Sequence, residues 1–364
     1  MNDKQNTRTI LKEIITHFKK HQEEIALLLV VNLKSSSIIT DNCFDYETEY
    51  FSDEELNDFI CVLNQLNIYH DISYGESDFV SKINSDYFSK IPHKYKIVYN
   101  TTGSKRIRAR SALIPSICEL HDMLYASSDI LTASILENKI HSFALLHYHG
   151  FSVPRFWIYH NLHGWINSAQ PAKDILLIAK PAYECASIGI TQKSVSIFDE
   201  VFQEHIIETS TILKQPIIVQ EFIRGWEVEV PVFDIGTPAA LSVVGIQIDG
   251  EELLNDKFLP YESIYSDNYS FYDYERVNPN LSSEIKQIAC DSYKALDLSG
   301  TVRVDFRISE NNIPYITDYN NSPHLTKFHS CAKSVEYYKL NYTDMFCMIF
   351  YKALSKAINN DLNP

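Results

Sequence analysis

Two short runs near the carboxyl end of the chain combine residue types that could bind a phosphorylated ligand. The first run carries Arg303 and Asp305, and the second carries Asp318 and Asn320. Both runs alternate apolar and polar residues, and the polar stretch 309–312 between them predicts a β-hairpin turn. Residues two apart on a strand share a face, so each pair should project to one side of the hairpin.

A hairpin register would bring these four side chains together on one face. With a loop at 309–312, Asp305 should lie opposite Ile316, and Arg303 opposite Asp318. Two carboxylates and an amide oxygen suit Mg²⁺, which takes few protein oxygens and leaves room for phosphates. The guanidinium of Arg303 can hold an oxyanion or a phosphate. A solvated hairpin face with an Arg–Asp pair is the alternative that this segment alone leaves open.

The composition indicates a globular protein of two or three domains. The chain has 364 residues, of which 45% are hydrophobic and 22% are charged. A net charge of −15 argues against broad nucleic-acid binding, which needs a basic footprint. No apolar run approaches the roughly 18 residues of a membrane span. Seven scattered cysteines without a close pair indicate reduced thiols, so we expect a cytosolic protein. The charge and the lack of a long apolar run lead us to expect neither nucleic-acid nor membrane partners.

Alternating strand and helix patterns predict an α/β (α+β) protein of three parts. Residues 1–131 should form an N-terminal α/β domain, residues 132–215 a small central domain, and residues 216–364 a C-terminal domain that carries the hairpin. The central part should begin with one long helix over 132–149, which Gly150 ends. A long polar and aromatic loop is expected over 251–280.

Further candidate groups for nucleotide chemistry precede the hairpin. Lys139 lies in the predicted helix 132–149, and Lys180 ends an apolar strand, where a buried lysine needs a partner. A loop of small residues follows over 184–190, and Gln220 and Glu227 lie on the next strands. Together with the hairpin, these groups predict an ATP pocket. A solvated helix lysine at position 139 and an outward-facing strand residue at position 227 are the alternatives.

The same segments, in the same order, resemble the ATP-grasp superfamily in its D-alanine–D-alanine ligase branch. The resemblance runs from about Tyr99 to Cys331 and covers most of the chain. The Arg-x-Asp-Phe and Asp-x-Asn-x-x-Pro runs of the hairpin are moderately specific, and the other pieces gain weight from their order. The matching pieces are Asn100 to Leu120, Asn138-Lys139, Val153-Pro154, Lys180-Pro181, Glu184 to Gly189, Val219 to Glu227, Phe271 to Glu275, and the hairpin.

The resemblance implies an ATP-grasp fold, with an N-terminal pre-ATP-grasp domain, and a role for each matched residue. Arg303 would be the catalytic arginine, and the metal ligands would be Asp305, Asp318 and Asn320. The residues that it places around ATP are Lys139, Lys180, Glu184, Ser187, Gln220, Glu221, Ile223 and Glu227. It also implies a homodimer.

The activity implied by the resemblance is ATP-dependent ligation of a carboxylate to an amine, with Mg²⁺ or Mn²⁺ as metal. ATP would phosphorylate a small carboxylic acid, and an amine would then displace phosphate to form an amide or dipeptide; amino acids are the expected substrates. Two other functions stay open at this stage. One is a kinase or phosphoryl transferase that stops before amide formation, and the other is a catalytically degenerate nucleotide-binding protein.

Several residues depart from the family pattern and argue against a cell-wall D-Ala–D-Ala ligase. Asp318 stands where the family has glutamate, and Gln220 replaces an acidic residue. Cys185 and Ala186 replace glycine and serine in the phosphate loop, and His324 replaces a glycine. These changes predict a ligase with other substrates, such as a specialised dipeptide or amide synthetase.

The expected substrate contacts are the least specific part of the sequence-based interpretation. The arginines of a basic run could grip a carboxylate or phosphate, or could simply belong to a solvated helix start. The family has a serine that binds the substrate carboxylate, and either His329 or Ser330 corresponds to it. The candidates are Arg106, Arg108, Arg110, His324, His329 and Ser330.

Overall fold

The computed structural model describes residues 2–36, 50–103, 108–261 and 269–362. The helices of these ranges are α1 (Asn2–His21), α2 (Asp53–Gln65), α3 (Glu76–Asn84), α4 (Leu113–Leu120), α5 (Ile130–Leu136), α6 (Lys139–Tyr148), α7 (Glu200–Leu213), α8 (Pro279–Ala295), α9 (Ser330–Tyr337) and α10 (Tyr342–Leu362).

The strands of the described ranges form three separate sheets. They are β1 (Ile25–Val31), β2 (Tyr69–Tyr74), β3 (Tyr95–Asn100), β4 (Leu124–Tyr125), β5 (Phe156–His160), β6 (Gly164–Trp165), β7 (Leu176–Pro181), β8 (Val195–Ile197), β9 (Ile217–Glu221), β10 (Trp226–Asp234), β11 (Pro238–Ala240), β12 (Val244–Ile248), β13 (Tyr269–Asp273), β14 (Val302–Ile308) and β15 (Pro314–Asn320).

The N-terminal sheet is parallel, with the strand order β2-β1-β3-β4. Every residue of β1 is buried, as expected for an unbroken apolar run in a sheet covered on both faces. One face of this sheet packs with α1, α2 and α10 into a core that includes Phe18, Phe59 and Phe350. The C-terminal helix is therefore part of the N-terminal core.

The central sheet is antiparallel, with the order β6-β5-β9-β7-β8. Its strand β9 lies beyond the expected boundary between residues 215 and 216. Because β9 pairs with β5 and β7 and not with the third sheet, we propose that the boundary lies after Glu221. The residues that pack α7 on this sheet include Phe202, Ile206 and Val219.

The third sheet has the order β13-β12-β10-β14-β15, with β11 paired to β10. Helix α8 packs on it through residues such as Ile285 and Tyr293. Strand β13 corrects the expected loop over 251–280: residues 269–273 pair with β12, because Tyr269, Phe271 and Tyr272 suit a pleated, half-buried surface. Residues 262–268 of that loop lie outside the described ranges.

The helix expected over 132–149 is two helices, α5 and α6. They are separated at Glu137 and Asn138, and the side chain of Asn138 accepts hydrogen bonds from the backbone NH groups of Ile140 and His141. Asparagine is a preferred N-cap because it satisfies NH groups that have no partner within the helix. Lys139 is therefore the first residue of α6, not an interior helix residue.

The hairpin β14–β15 forms, but its register differs from the expected one. Asp305 lies opposite Asp318, and Arg303 lies opposite Asn320. The register shifts next to Asp305, which leaves Thr317 as an extra residue on β15. Such a β-bulge cannot be derived from an assumed loop length. The two carboxylates are therefore direct cross-strand neighbours on one face of the sheet.

Candidate active site

One cavity of about 450 Å³ is lined by all three parts of the chain. Strands β7 and β9 of the central sheet form one side, and strands of the third sheet form another. Residues such as Lys34 and Tyr99 contribute from the N-terminal part. The lining includes all of the residues predicted for catalysis, nucleotide and metal: Lys139, Lys180, Glu184, Ser187, Gln220, Glu221, Ile223, Glu227, Arg303, Asp305, Asp318 and Asn320.

The hairpin places an arginine and an aspartate in a fixed pair. Nε and Nη2 of Arg303 each donate to one oxygen of Asp305, both at 2.7 Å. Burial alone would lower the pKa of Arg303, but Asp305 and then Glu229 outweigh burial and hold it well above its ordinary value. A permanently charged guanidinium therefore stands on the cavity wall, oriented by a planar two-point contact.

Two lysines from other elements converge on the same strand. Nζ of Lys139 lies 2.7 Å from both oxygens of Asp318, and Nζ of Lys180 donates to the carbonyl of Thr317 at 3.0 Å. Burial would raise the pKa of Asp318, but Lys139 and Lys180 outweigh burial and lower it. Burial lowers the pKa of Lys180, whose ammonium has no carboxylate within ion-pair distance among the described residues. The cavity thus contains two cations suited to a polyanion.

Glu229 is a site residue that sequence reasoning missed. It lies opposite Asp305 on the neighbouring strand β10, and its Oε1 is 3.4 Å from Nη2 of Arg303. Its other oxygen is buried. Burial raises the pKa of Glu229 to about 7, with a further contribution from Asp305 and partial compensation by Arg303. Three carboxylates, Glu229, Asp305 and Asp318, consequently form a row across three strands.

The hairpin oxygens fit a magnesium ion that is shared with phosphates. Asp305 and Asp318 are cross-strand neighbours, and Asn320 lies on the same face. No group of three or more His, Cys, Asp or Glu side chains in the described ranges is arranged to hold a metal by itself. A site with two carboxylates and one amide suits Mg²⁺, which usually keeps waters and substrate oxygens among its ligands.

The central sheet offers a polar group that calls for a ligand. Gln220 is 1% exposed, lines the cavity, and has an amide nitrogen with no hydrogen-bond partner. A buried unpaired donor is costly, so an acceptor on a bound molecule would relieve it. Its neighbour Glu221 is engaged differently, in an ion pair with Arg155 at 2.9 Å. The carbonyl of Ile223 accepts a hydrogen bond from Arg307.

Arg307 is a second residue that sequence reasoning missed. Its Nη2 donates to Oε2 of Glu227 at 2.9 Å, and the guanidinium lies 4.6 Å from the ring centre of Phe222. The same side chain donates to the carbonyls of Ile223, Asn255 and Lys257. Arg307 is 5% exposed and therefore fixes Glu227 at the cavity wall while joining β10 to the segment 255–257.

The loop after β7 has a strained conformation. Ala186 and Ser187 have φ values of 50° and 54°, and Gly189 has a φ of 80°. A Cβ at Gly189 would lie 2.6 Å from Cγ of Pro181, so this position requires glycine. The hydroxyl of Ser187 donates to the carbonyl of Leu259 at 3.0 Å, which ties the loop to the third sheet's side of the cavity.

Glu184 is buried at the base of this loop and is engaged on both oxygens. Gln215 donates to Oε1 at 2.7 Å, and Nη1 of Arg110 lies 3.5 Å from Oε2. Nη2 of Arg110 also lies 3.5 Å from Sγ of Cys185. Arg110 therefore lines the cavity and also links the N-terminal part to the loop after β7.

The remaining predicted substrate residues fall in different places. His324 and His329 line the cavity, and their rings stack at 4.8 Å. Arg108 lies over the ring of Tyr183 and is not part of the cavity lining. Ser330 is 1% exposed at the start of α9, behind the lining. Arg106 lies outside the described residues.

The three sheets, with the cavity lined by strands of the central and third sheets, define an ATP-grasp fold. Solved structures with this fold include the D-alanine–D-alanine ligase of Bacillus anthracis complexed with ATP, at a TM-score of 0.66 and 15% identity, over 92% of this chain and 99% of that one. The VanG D-Ala:D-Ser ligase of Enterococcus faecalis matches at a TM-score of 0.62 and 18% identity, over 89% and 98% of the two chains.

The chain belongs to the D-Ala–D-Ala ligase family of ATP-grasp ligases: the family model for the D-Ala D-Ala ligase C-terminus matches residues 154–350. A D-alanine–D-alanine ligase of Cupriavidus necator is 26% identical over 69% of this chain and 72% of its own length. One of Bordetella petrii is 24% identical over 66% and 71%. The expected class and fold are thereby confirmed, whereas the roles of individual residues remain predictions.

Proposed function

We propose that this protein is an ATP- and Mg²⁺-dependent ligase that joins a small carboxylic acid to an amine through an acyl phosphate. The observation that carries the proposal is the meeting of two buried lysines with the Arg303–Asp305 and Asp318–Asn320 face in one cavity. Cations that neutralise phosphates, hard oxygen donors for a metal and an oriented guanidinium are the parts that phosphoryl transfer to a carboxylate requires.

In this proposal, ATP extends from the central sheet to the hairpin. The unpaired amide of Gln220 faces the adenine, and Glu227, held by Arg307, binds the ribose hydroxyls. Lys139 and Lys180 neutralise the phosphates beneath the strained loop at Ser187. Asp305, Asp318 and Asn320 would hold the magnesium ion, which supplies charge neutralisation at the phosphate oxygens.

The chemistry then follows in two balanced steps. A carboxylate oxygen of the acid attacks the γ-phosphorus, and ADP leaves. The amine attacks the acyl carbon, and the bond to phosphate breaks with loss of one amine proton. Arg303 stabilises the negative charge that develops on the acyl oxygen, because its guanidinium is already oriented by Asp305.

We further propose that the substrates are not those of a cell-wall D-Ala–D-Ala ligase. The resemblance implies a glutamate after the first strand that would hold the substrate's amino group. This chain has no glutamate in that segment, and Lys34, which lies there, lines the cavity. His324 and Cys185, which replace family glycines, also line the cavity. Amino acids or related small acids remain the expected substrates, and a cytosolic homodimer is part of the same proposal.

The test is phosphate release from ATP and Mg²⁺ with pools of amino acids, small acids and amines, followed by mass spectrometry. Substrate-dependent phosphate and a new mass equal to two substrates minus water would support the ligase. A phosphorylated acid without condensation would instead indicate a kinase. The Arg303→Lys variant keeps a charge but loses the planar two-point contact, so we expect it to retain ATP binding and lose about 10²-fold or more of the condensation rate.

A further inference from the structure

Six rings form a continuous wall on the substrate side of the cavity. We call it the aromatic wall; every ring lines the cavity, and its members are Phe51, Tyr269, Phe271, His324, Phe328 and His329. Neighbouring ring centres are 4.8 to 6.5 Å apart along the whole series. Separations of this size are those of directly packed aromatic pairs.

The fold assembles the aromatic wall from three distant segments. Phe51 lies just before α2 of the N-terminal part, and Tyr269 and Phe271 lie on β13. Tyr269 and Phe271 are two residues apart on a strand and therefore share a face. The remaining three rings lie between β15 and α9. The rings therefore come together because of the fold at the edge of the cavity, and not because one segment of the sequence is rich in aromatic residues.

The aromatic wall is not a closed core. Phe51 is 4% exposed, whereas Phe328 is 48% exposed although it contacts Tyr269, Phe271 and His329. A half-exposed phenyl ring on a cavity wall leaves apolar surface that a ligand can cover favourably. The stacked pair His324 and His329, with an interplanar angle of 22°, extends the same surface as flat rings.

The charged groups that line the cavity with the aromatic wall indicate which kind of ligand would bind there. Burial, and then the charges of His324, Arg303 and Lys34, lower the pKa of His329 well below its ordinary value, so its ring is neutral near pH 7. Arg303 and Lys34 line the same cavity as the rings of the aromatic wall. A surface of flat rings beside Arg303 and Lys34 suits a molecule with a planar apolar part and a carboxylate.

We propose that the acid substrate is an aromatic or similarly planar carboxylic acid, whose ring packs on the aromatic wall while its carboxylate faces Arg303. This assignment rests on the proposed ligase function, because the carboxylate must point to the transferred phosphate. It differs from a small alkyl substrate such as alanine, which could not cover the exposed face of Phe328.

The test compares direct binding of matched acids, so that it does not depend on turnover. Calorimetry with the full chain, Mg²⁺ and a non-hydrolysable ATP analogue would use 3-phenylpropionate against propionate, and phenylalanine against alanine in both enantiomers. Covering one phenyl ring predicts about ten- to hundred-fold tighter binding of the aromatic member of a pair. Equal or weaker binding of both aromatic members would overturn the proposal.

Two variants of Phe328 distinguish ring-to-ring packing with the substrate from a contact that is only apolar. Phe328→Ala should remove most of the aromatic preference, and Phe328→Leu, which keeps apolar volume, should remove part of it. Tyr148→Ala is the matched control, since Tyr148 is 82% exposed and does not line the cavity. An unchanged preference in Phe328→Ala, with a cooperative unfolding transition retained, would contradict the aromatic wall.

Failure of this inference and failure of the proposed function give different results. If phenylpropionate binds more tightly than propionate but no acid triggers phosphate release, the aromatic wall stands and the ligase proposal fails. If small acids condense with amines and aromatic acids neither bind nor react, the ligase stands and the aromatic wall is refuted as a substrate surface.

Discussion

Buried charges dominate the site at the scale of single residues. Three cations line the cavity: Lys139 and Lys180 are buried, and Arg303 is half-buried. A buried cation is stable only with a compensating anion or hydrogen-bond acceptors. Lys139 has Asp318 and Arg303 has Asp305, but Lys180 has, among the described residues, a single backbone carbonyl, that of Thr317. Lys180 is consequently the cation that gains most from a phosphate.

Lys180→Ala should weaken binding of a non-hydrolysable ATP analogue with Mg²⁺ by about 10- to 100-fold. Loss of one charge-assisted contact to phosphate has this magnitude. Calorimetric titration measures it, and Lys173→Ala serves as the control because Lys173 is an exposed lysine just before the same strand. An unchanged dissociation constant in Lys180→Ala would mean that the phosphates lie elsewhere.

Arg307 makes a separate prediction about stability. Arg307→Met should lower the free energy of unfolding by about 3–5 kcal/mol, because Glu227 and three backbone carbonyls lose their donor inside the protein. Urea unfolding measures the change. Arg224→Met is the matched control: the ion pair of Arg224 with Asp256 is exposed, and its loss should cost no more than about 1 kcal/mol. Similar losses in both variants would contradict the structural role of Arg307.

The sequence contains a signal for Glu229 but none for Arg307. Glu227 and Glu229 alternate with valines on β10, so a strand assignment places both on one face. The resemblance assigned a role to Glu227 and none to Glu229. The role of Arg307 could not be predicted. Its backbone partners depend on how the segment 255–257 folds back on β14, and local sequence does not determine that.

At the scale of elements, the hairpin shows what local pattern can and cannot predict. Alternation predicted both strands and the face shared by Arg303 and Asp305. The register was wrong because a bulge at Thr317 shifts the pairing, and that bulge presents the carbonyl that Lys180 binds. The apolar spacing runs through the break before Lys139 and does not predict it; the signal is Asn138, because asparagine favours N-caps over helix interiors.

The start of β10 supplies a prediction at this scale. Gly225 has a φ of 138°, and a Cβ there would lie 1.8 Å from the carbonyl oxygen of Ile308. Gly225→Ala must therefore push β10 away from β14 and displace Glu227. Gly236→Ala is the control, because Gly236 also has a positive φ, 93°, but has nothing within 4 Å of its added Cβ.

We expect Gly236→Ala to cost about 1 kcal/mol, which is the backbone strain alone. Gly225→Ala should cost at least about 2 kcal/mol more and should also weaken binding of the ATP analogue. Urea unfolding and calorimetric titration of both variants measure these effects. Equal destabilisation by the two substitutions would show that the close approach at Ile308 does not constrain the strand.

At the scale of the whole molecule, ion pairs join parts of the chain that are distant in sequence. Arg110 of the N-terminal part contacts Glu184 of the central part, and Lys139 at the start of α6 contacts Asp318 on the third sheet. No helix of the described ranges is long and apolar enough to cross a membrane. The six cysteines in those ranges are all free thiols.

Sequence order and residue type were sufficient to predict the fold class, since segments spread over most of the chain matched one family in order. They could not predict the substrate side of the cavity. That side is formed where Phe51, β13 and the segment 324–329 meet, and no local pattern relates three such distant segments. The aromatic wall therefore became visible only with the fold.

The central claim is that a carboxylate oxygen of the acid attacks the γ-phosphorus of ATP. The most direct measurement uses an acid labelled with ¹⁸O in its carboxylate, and follows the label into released phosphate by mass spectrometry during condensation. We predict that one ¹⁸O per amide formed appears in inorganic phosphate, with ADP as the other product. Unlabelled phosphate, or release of AMP and pyrophosphate, would contradict the acyl-phosphate route and with it the account of this site.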